Sequence, residues 1–192
     1  GTSLRTEVGG VDLDTPVIVA SGVWPMDPAL WPEGSLDGVG AVCSKGLTLK
    51  PRDGNPGCRI VETYSGVLNS IGLQNSGVDH FVAQELSAFS FAGRPIIVNI
   101  AFETLDDLVE TVEVLKGSAL KISALELNVS CPNVTRGGMT WGIHPESLES
   151  AVTAARRAWN GILWVKLSPQ APSVGEFAEL SQGCGAEAVV VG

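Results

Sequence analysis

Short apolar runs recur along this chain, each followed by a helical pattern or a loop. Pro16-Val17-Ile18-Val19-Ala20, Gly40 to Cys43, Pro95 to Ile100, Ala124 to Val129, Ile162 to Leu167 and Ala186 to Val191 are runs of this kind. Bounded by glycine, proline or polar residues, they read as strands buried on both faces of a parallel sheet. Between them the period changes. Val78 to Phe89 carries apolar residues at Val78, Phe81, Val82, Leu86 and Phe89, one face of a helix. Thr104 with Asp107 is a capping pattern ahead of the stripe Leu105, Leu108, Val109, Val112 and Leu115. Pro145 stands at a first helical position before Leu148, Ala151, Val152, Ala155 and Trp159, and Ser173-x-x-Glu176 opens a helix towards Gly183. Asp27 to Leu36 is read as a less regular helix. Thr6 to Asp14 alternates about Gly9-Gly10 and reads as a hairpin. Thr48 to Asn75, rich in proline, glycine and asparagine, reads as a long functional loop, ordered by its apolar Val67, Leu68, Ile71 and Leu73.

Strand and helix thus alternate from one end to the other. No linker or repeat divides the chain, so residues 1–192 are read as a single α/β domain. Right-handed crossovers allow a doubly wound sheet or a β/α barrel. No G-x-G-x-x-G follows the first strand, which weighs against the dinucleotide-binding form. A complete eightfold barrel needs roughly 250 residues, so about six of its eight β/α units are present. Polar side chains gather after the strands: Ser21, Lys45, Asn99, Asn128, Cys131 and Lys166. Both architectures build their sites at that edge.

Composition narrows the functional classes. A net charge of −9 and a pI near 4.6 argue against nucleic-acid partners. No apolar run reaches the roughly 18 residues that cross a bilayer, so no membrane partner is expected. The four cysteines form no C-x-x-C pair and histidines number two, so no metal site is expected. This cysteine usage reads as a reducing, cytoplasmic compartment.

The chemistry centres on Glu126-Leu127-Asn128-Val129-Ser130-Cys131-Pro132-Asn133, a strand breaking into a turn with a thiol between two amides. A cysteine nucleophile needs a base beside it. His80 in a helix and His144 just before one are not evident partners, so proton transfer suits Cys131 better than acyl transfer. Lys45 and Lys166, read as standing at neighbouring strand ends, supply positive charge for an anionic substrate or intermediate. Asparagines there match both donors and acceptors of a planar heterocycle. Cys43 is read as core filling, Cys58 and Cys184 as structural, and Asn55 and Asn75 as turn residues. The residues alone lead to carbon-acid chemistry on an anionic, amide-bearing small molecule.

Five motifs, in order and spanning the chain, resemble dihydroorotate dehydrogenase. They are Ala20-Ser21-Gly22, then Ser44-Lys45-Gly46 with Thr48-Leu49-Lys50-Pro51-Arg52-x-Gly54-Asn55-Pro56, then Leu68-Asn69-x-Ile71-Gly72-Leu73-Gln74-Asn75, then Glu126 to Asn133, and Val165-Lys166-Leu167-Ser168-Pro169. The resemblance implies a TIM-type (β/α)8 barrel that oxidises (S)-dihydroorotate to orotate with FMN, in de novo pyrimidine synthesis. It implies Cys131 as general base, with Lys45, Asn69, Ile71, Gly72, Leu73, Asn128 and Asn133 on the substrate. Ala20, Ser21, Lys45, Asn99, Asn128 and Lys166 would contact FMN, Lys166 at the pyrimidine end where negative charge appears on reduction. Cysteine rather than serine at position 131 sets the chain apart from the membrane-linked class, and Gly72 to Asn75 with the Asn128 to Gly138 region looks more like the NAD-linked class 1B catalytic subunit than the fumarate-linked class 1A enzyme. That class implies a homodimer and a second subunit carrying FAD and a [2Fe–2S] cluster.

The family's glycine-rich phosphate-binding turns would lie beyond Gly192. The chain is therefore read as a carboxyl-terminally truncated form, expected to hold FMN poorly and turn over little or nothing. A dihydropyrimidine dehydrogenase-like flavin barrel and a catalytically inactive barrel fragment are the alternatives. A tRNA dihydrouridine synthase is disfavoured by the acidic charge.

Overall fold

The computed structural model describes residues 3–91, 93–130 and 141–192. The chain opens with the expected hairpin, β1 (Thr6–Val8) and β2 (Val11–Leu13), paired antiparallel. Then come β3 (Ile18–Val19), β4 (Ala41–Cys43), a second hairpin of β5 (Ile60–Thr63) and β6 (Gly66–Asn69), β7 (Ile96–Ile100), β8 (Ala124–Asn128), β9 (Leu163–Leu167) and β10 (Ala188–Val191). The helices are α1 (Val78–His80), α2 (Leu86–Phe91), α3 (Leu105–Lys116), α4 (Pro145–Ala158) and α5 (Val174–Gly183).

One sheet runs β3-β4-β7-β8-β9-β10, every neighbouring pair parallel. Strand order thus follows chain order without a reversal. A doubly wound sheet reverses at its switch point, whereas a barrel adds each strand beside the last. The sheet is six strands of a β/α barrel.

Period-two alternation divides the strands between two cores. Val42, Ile96, Val98, Ile100, Leu125, Leu127, Leu163, Val165 and Leu167 pack outward against Phe81, Leu108, Val112, Leu148, Val152 and Phe177 of the surrounding helical segments. Ala41, Cys43, Ile97, Ala124 and Trp164 turn inward and meet Val11 and Leu13 of β2. The first hairpin therefore closes the amino-terminal end of the arc, and Trp164 Nε1 donates to Gly9 O at 3.2 Å. Gly9 has φ +47°, and a Cβ there would stand 2.6 Å from that of Ala188.

Helix starts follow the capping signals. Thr104 and Asp107 form a reciprocal capping box at α3, Pro145 opens α4, and Ser173 Oγ accepts from Glu176 N at α5. Three segments differ from expectation. Asp27 to Leu36 yields only a 3₁₀ turn at Pro28–Leu30. Pro25, Pro28 and Pro32 remove backbone donors there, and Trp31 Nε1 instead donates to Pro25 O at 2.8 Å. The helix of Val78 to Phe89 is interrupted by a π-helical turn at Phe81–Glu85, with Leu86 N donating to Phe81 O. That i to i+5 register aligns Phe81 and Leu86, five residues apart and both fully buried; the side chain of Phe89 lies outside the described residues.

The loop of Thr48 to Asn75 contains the β5–β6 hairpin, which the sequence reading missed. Ile71 and Leu73 are half-buried, but Val67 and Leu68, 60% and 67% exposed, do not order it. Polar contacts do. Asn55 Nδ2 donates to Ser70 O and Oγ, Arg59 NH1 donates to Gln74 Oε1, and Asn75 Oδ1 accepts from Thr48 N and Gly77 N. Among the described residues, no helix is long and apolar enough to cross a membrane.

Candidate functional site

The carboxyl half of the inner sheet face turns polar. On β7 the inward series is Ile97 then Asn99; on β8 it is Ala124, Glu126, Asn128; on β9 it is Trp164 then Lys166. Register sets these residues side by side: Asn99 pairs with Glu126, and Asn128 with Lys166. Cys43 ends β4 on the same face, and Lys45 follows it. Ala20 and Ser21, just past β3, line a cavity of about 130 Å³ with Ile18, Cys43, Glu126, Trp164 and Lys166.

Glu126 is only 4% exposed. Its Oε1 accepts from Asn99 Nδ2 at 2.6 Å and from Cys43 Sγ at 3.6 Å. Asn99 Oδ1 accepts from Asn128 Nδ2 at 3.4 Å, and Asn128 Oδ1 accepts from Ser130 N at 3.1 Å and Ser130 Oγ at 2.6 Å. A continuous series of polar contacts thus runs from inside the arc to the residue before Cys131.

Gly46 lies against this pair. A Cβ there would stand 2.9 Å from Asn99 Oδ1, 3.9 Å from Leu73 Cδ2 and 4.0 Å from Asn128 Nδ2. Glycine keeps that space clear. Leu73 reaches it from a strained backbone, φ +56°, held by Asn75 Nδ2 donating to Leu73 O at 2.7 Å. Gly72 has φ +76° and packs on Asn55, where a Cβ would come within 2.5 Å of Asn55 N. Ile71 O accepts from Asn55 N at 3.0 Å. On the outer side of the mouth, Lys45 lines a cleft of about 410 Å³ with Met26, Arg52, Asp53, Gln74 and Glu85.

The expected residues Leu73, Asn99 and Asn128 therefore meet around Gly46, Ser21 and Lys166 line the inner cavity, and Lys45 lines the outer cleft. Asn69 sits at the exposed end of β6. Cys131 and Asn133 lie outside the described residues. One expectation is corrected: Lys45 and Lys166 are not on neighbouring strands, because β7 and β8 lie between β4 and β9. The sequence reading also left Glu126 unassigned. It shares the parity of Asn128 two residues on, and a carboxylate on a doubly buried strand requires partners.

Burial raises the Cys43 thiol well above its ordinary pKa, and the nearby Glu126 carboxylate raises it further, outweighing the Lys166 ammonium. The folded state therefore keeps a proton that the unfolded chain gives up. Any stabilisation from this linkage is complete below the ordinary thiol range and is lost progressively as pH rises above it towards the raised folded-state value. Urea unfolding should show wild type losing stability above about pH 8.5, with a shallower alkaline decline in Cys43→Ala. Equal slopes would show that the thiol does not contribute.

The dihydroorotate dehydrogenase family model matches residues 3–190. Relatives named dihydroorotate dehydrogenase B (NAD(+)), catalytic subunit, include one from Thermoanaerobacter sp. (strain X514), 40% identical over 187 residues, covering 97% of this chain and 61% of that protein. Another, from Trichlorobacter lovleyi, is 40% identical over 189 residues, covering 98% of this chain and 62% of its own. The chain thus spans about three fifths of the length of the curated relatives it matches. The crystal structure of a dihydroorotate dehydrogenase from Eimeria tenella in complex with ferulenol superposes with a TM-score of 0.75 at 22% identity, covering 97% of this chain and 58% of that one, and shares the barrel fold. With nearly every residue inside the family match and the barrel strands in sequential order, this chain belongs to the dihydroorotate dehydrogenase family.

Proposed function

We propose that the protein carrying this chain, at the relatives' full length, oxidises (S)-dihydroorotate to orotate with FMN as acceptor in de novo pyrimidine synthesis. The observation that carries this reading is the polar inner sheet face, where Asn99 and Asn128 meet beside Gly46 and Lys166 stands in register with Asn128. A planar, anionic ring with amide edges suits that set of donors and acceptors. The residues present also suit FMN: Ala20 and Ser21 beside Lys166 offer small groups and a cation to a flat ring, with Asn99 and Asn128 adjoining.

Cys131 Sγ accepts a proton from the ring methylene of the substrate. The neighbouring carbon, which bears the carboxylate, gives up a hydride, and the two electrons left by the proton form the new C=C bond. FMN, when bound, supplies the two-electron acceptor for that hydride. Lys45, Asn69, Asn128 and Asn133 hold the carboxylate and ring amides, with the backbone of Ile71 to Leu73 beside them. Lys166 places its ammonium where negative charge accumulates. The likeness to NAD-linked catalytic subunits supports a homodimer working in the cytoplasm with an FAD and [2Fe–2S] electron-transfer subunit.

Anaerobic mixing of the full-length, FMN-loaded protein with substrate tests the activity. Dihydroorotate should bleach the flavin absorbance, while dihydrouracil should leave it unchanged. The reverse preference would move the protein to the dihydropyrimidine dehydrogenase reading, and bleaching by neither would support an inactive barrel.

A further inference from the structure

We infer that Glu126 is a positioning residue that sets the hydrogen-bond direction of the asparagine pair at the barrel mouth. This rests on the reading of that mouth as an FMN and dihydroorotate site. A primary amide is nearly symmetric in shape, so an asparagine between two partners can present oxygen or nitrogen to either one. What decides is a neighbour that can only accept or only donate. A carboxylate provides that constraint, and Glu126 holds Asn99 Nδ2 at 2.6 Å.

With its nitrogen committed to Glu126, Asn99 must turn Oδ1 to Asn128, where it accepts from Nδ2 at 3.4 Å. Asn128 then directs Oδ1 at Ser130, taking both its backbone N–H and its hydroxyl. Ser130 N can only donate, so the far end of the series agrees with the near end. Reversing either amide would set oxygen against oxygen at Glu126 or nitrogen against nitrogen at Ser130. Asn99 has little freedom to escape, being fully buried with its backbone N–H donating to Ser44 Oγ at 3.1 Å. Glu126 is buried within the same arc, and Cys43 is a further donor to the same oxygen. The carboxylate at one end and the Ser130 N–H at the other thus demand the same direction of both amides, and Glu126 need not touch the substrate.

The proposal is tested in the full-length, FMN-loaded protein. Orotate affinity is read from perturbation of the flavin spectrum, and amide direction from the side-chain carboxamide NMR signals of Asn99 and Asn128. Glu126→Gln keeps the shape but can donate as well as accept, so the constraint at the inner end is lost and only that of Ser130 N–H remains. Orotate binding should weaken about tenfold, with FMN retained and both carboxamide signals shifted. The double variant Glu126→Gln with Asn99→Asp moves the accept-only group one step along the series. The introduced glutamine then donates to the introduced aspartate, whose carboxylate again can only accept from Asn128. Affinity should rise above that of the single variant, short of wild type because Asn99 also adjoins FMN, and the Asn128 signal should return to its original position.

Wild-type affinity in Glu126→Gln would overturn the assignment. So would a double variant no better than the single one, because a purely structural role gives no reason for rescue. If Glu126→Gln fails to fold, recovery in the double variant supports the proposal and no recovery overturns it. Should the wild type take up no FMN, the functional reading fails, while the carboxamide signals still decide the direction of the asparagines.

Discussion

Replacing Cys131 with alanine in the full-length protein should slow dihydroorotate oxidation by about 10²- to 10⁴-fold, the usual contribution of a placed general base, and leave FMN bound. The position has a defined approach. Ser130 is fixed to Asn128 through its backbone N–H and its hydroxyl, so the residue before the thiol is tied to the inner sheet face. The other candidate bases are less suitable. His80 is half exposed on α1 and paired with Glu85 at 3.1 Å. Glu126 is engaged by Asn99 and Cys43. Stopped-flow measurement of anaerobic flavin reduction checks the expectation. Cys131→Ser separates a base from a packing group, because a hydroxyl ionises far above a thiol. Its rate should be low at neutral pH and climb further into the alkaline range than that of wild type. Wild-type reduction by Cys131→Ala would remove Cys131 from the mechanism.

Much of the fold was legible because each segment carried its own signal. The apolar runs became the six strands of the parallel sheet, and the caps at Thr104 and Ser173 and the proline at Pro145 marked real helix starts. Strand ends also pointed to Lys45, Asn99, Asn128 and Lys166. What was not legible depended on neighbours distant in sequence. The separation of Lys45 from Lys166 is a property of sheet order, which no local pattern carries. The π-helical turn depends on Phe81 and Leu86 both finding the outer core, which overrides a regular helical count. The β5–β6 hairpin has no Asn-Gly turn and no buried face, so neither usual signal was present. Glu126 differs from these. Its parity with Asn128 was readable, but an acidic residue in an apolar run does not reveal its partners until Asn99 and Cys43 are placed beside it.

Gly40→Ala should be among the most destabilising small substitutions in this barrel. Gly40 lies at the entry to β4, where its N–H donates to Val17 O at 2.8 Å. A Cβ there would stand 2.0 Å from Thr15 O, 3.1 Å from Thr15 C and 3.3 Å from Leu13 Cβ. The obstructing atoms are mainly backbone, so no rotamer change relieves the contact. The strand pair must part, and the first hairpin must shift with it. Leu13, 1% exposed, leads directly into this link and belongs to the inner core with Ala41, Cys43 and Trp164. The floor beneath the polar mouth would therefore loosen together with the β3–β4 contact. A cost of about 3 kcal/mol is in the range for overpacking a close-packed site. At this chain size that corresponds to a fall in Tm of about 6–12 °C. Gly38→Ala is the matched control. Gly38 has φ +77° with nothing within 4 Å of the added Cβ, and Thr15 Oγ1 donates to its carbonyl at 2.6 Å. That substitution meets only the left-handed backbone penalty of about 1–2 kcal/mol. Thermal melts of the two variants should thus place Gly40→Ala clearly below Gly38→Ala. The opposite order would mean that the hairpin yields easily and that backbone conformation, not the close approach of Thr15, governs this corner of the barrel.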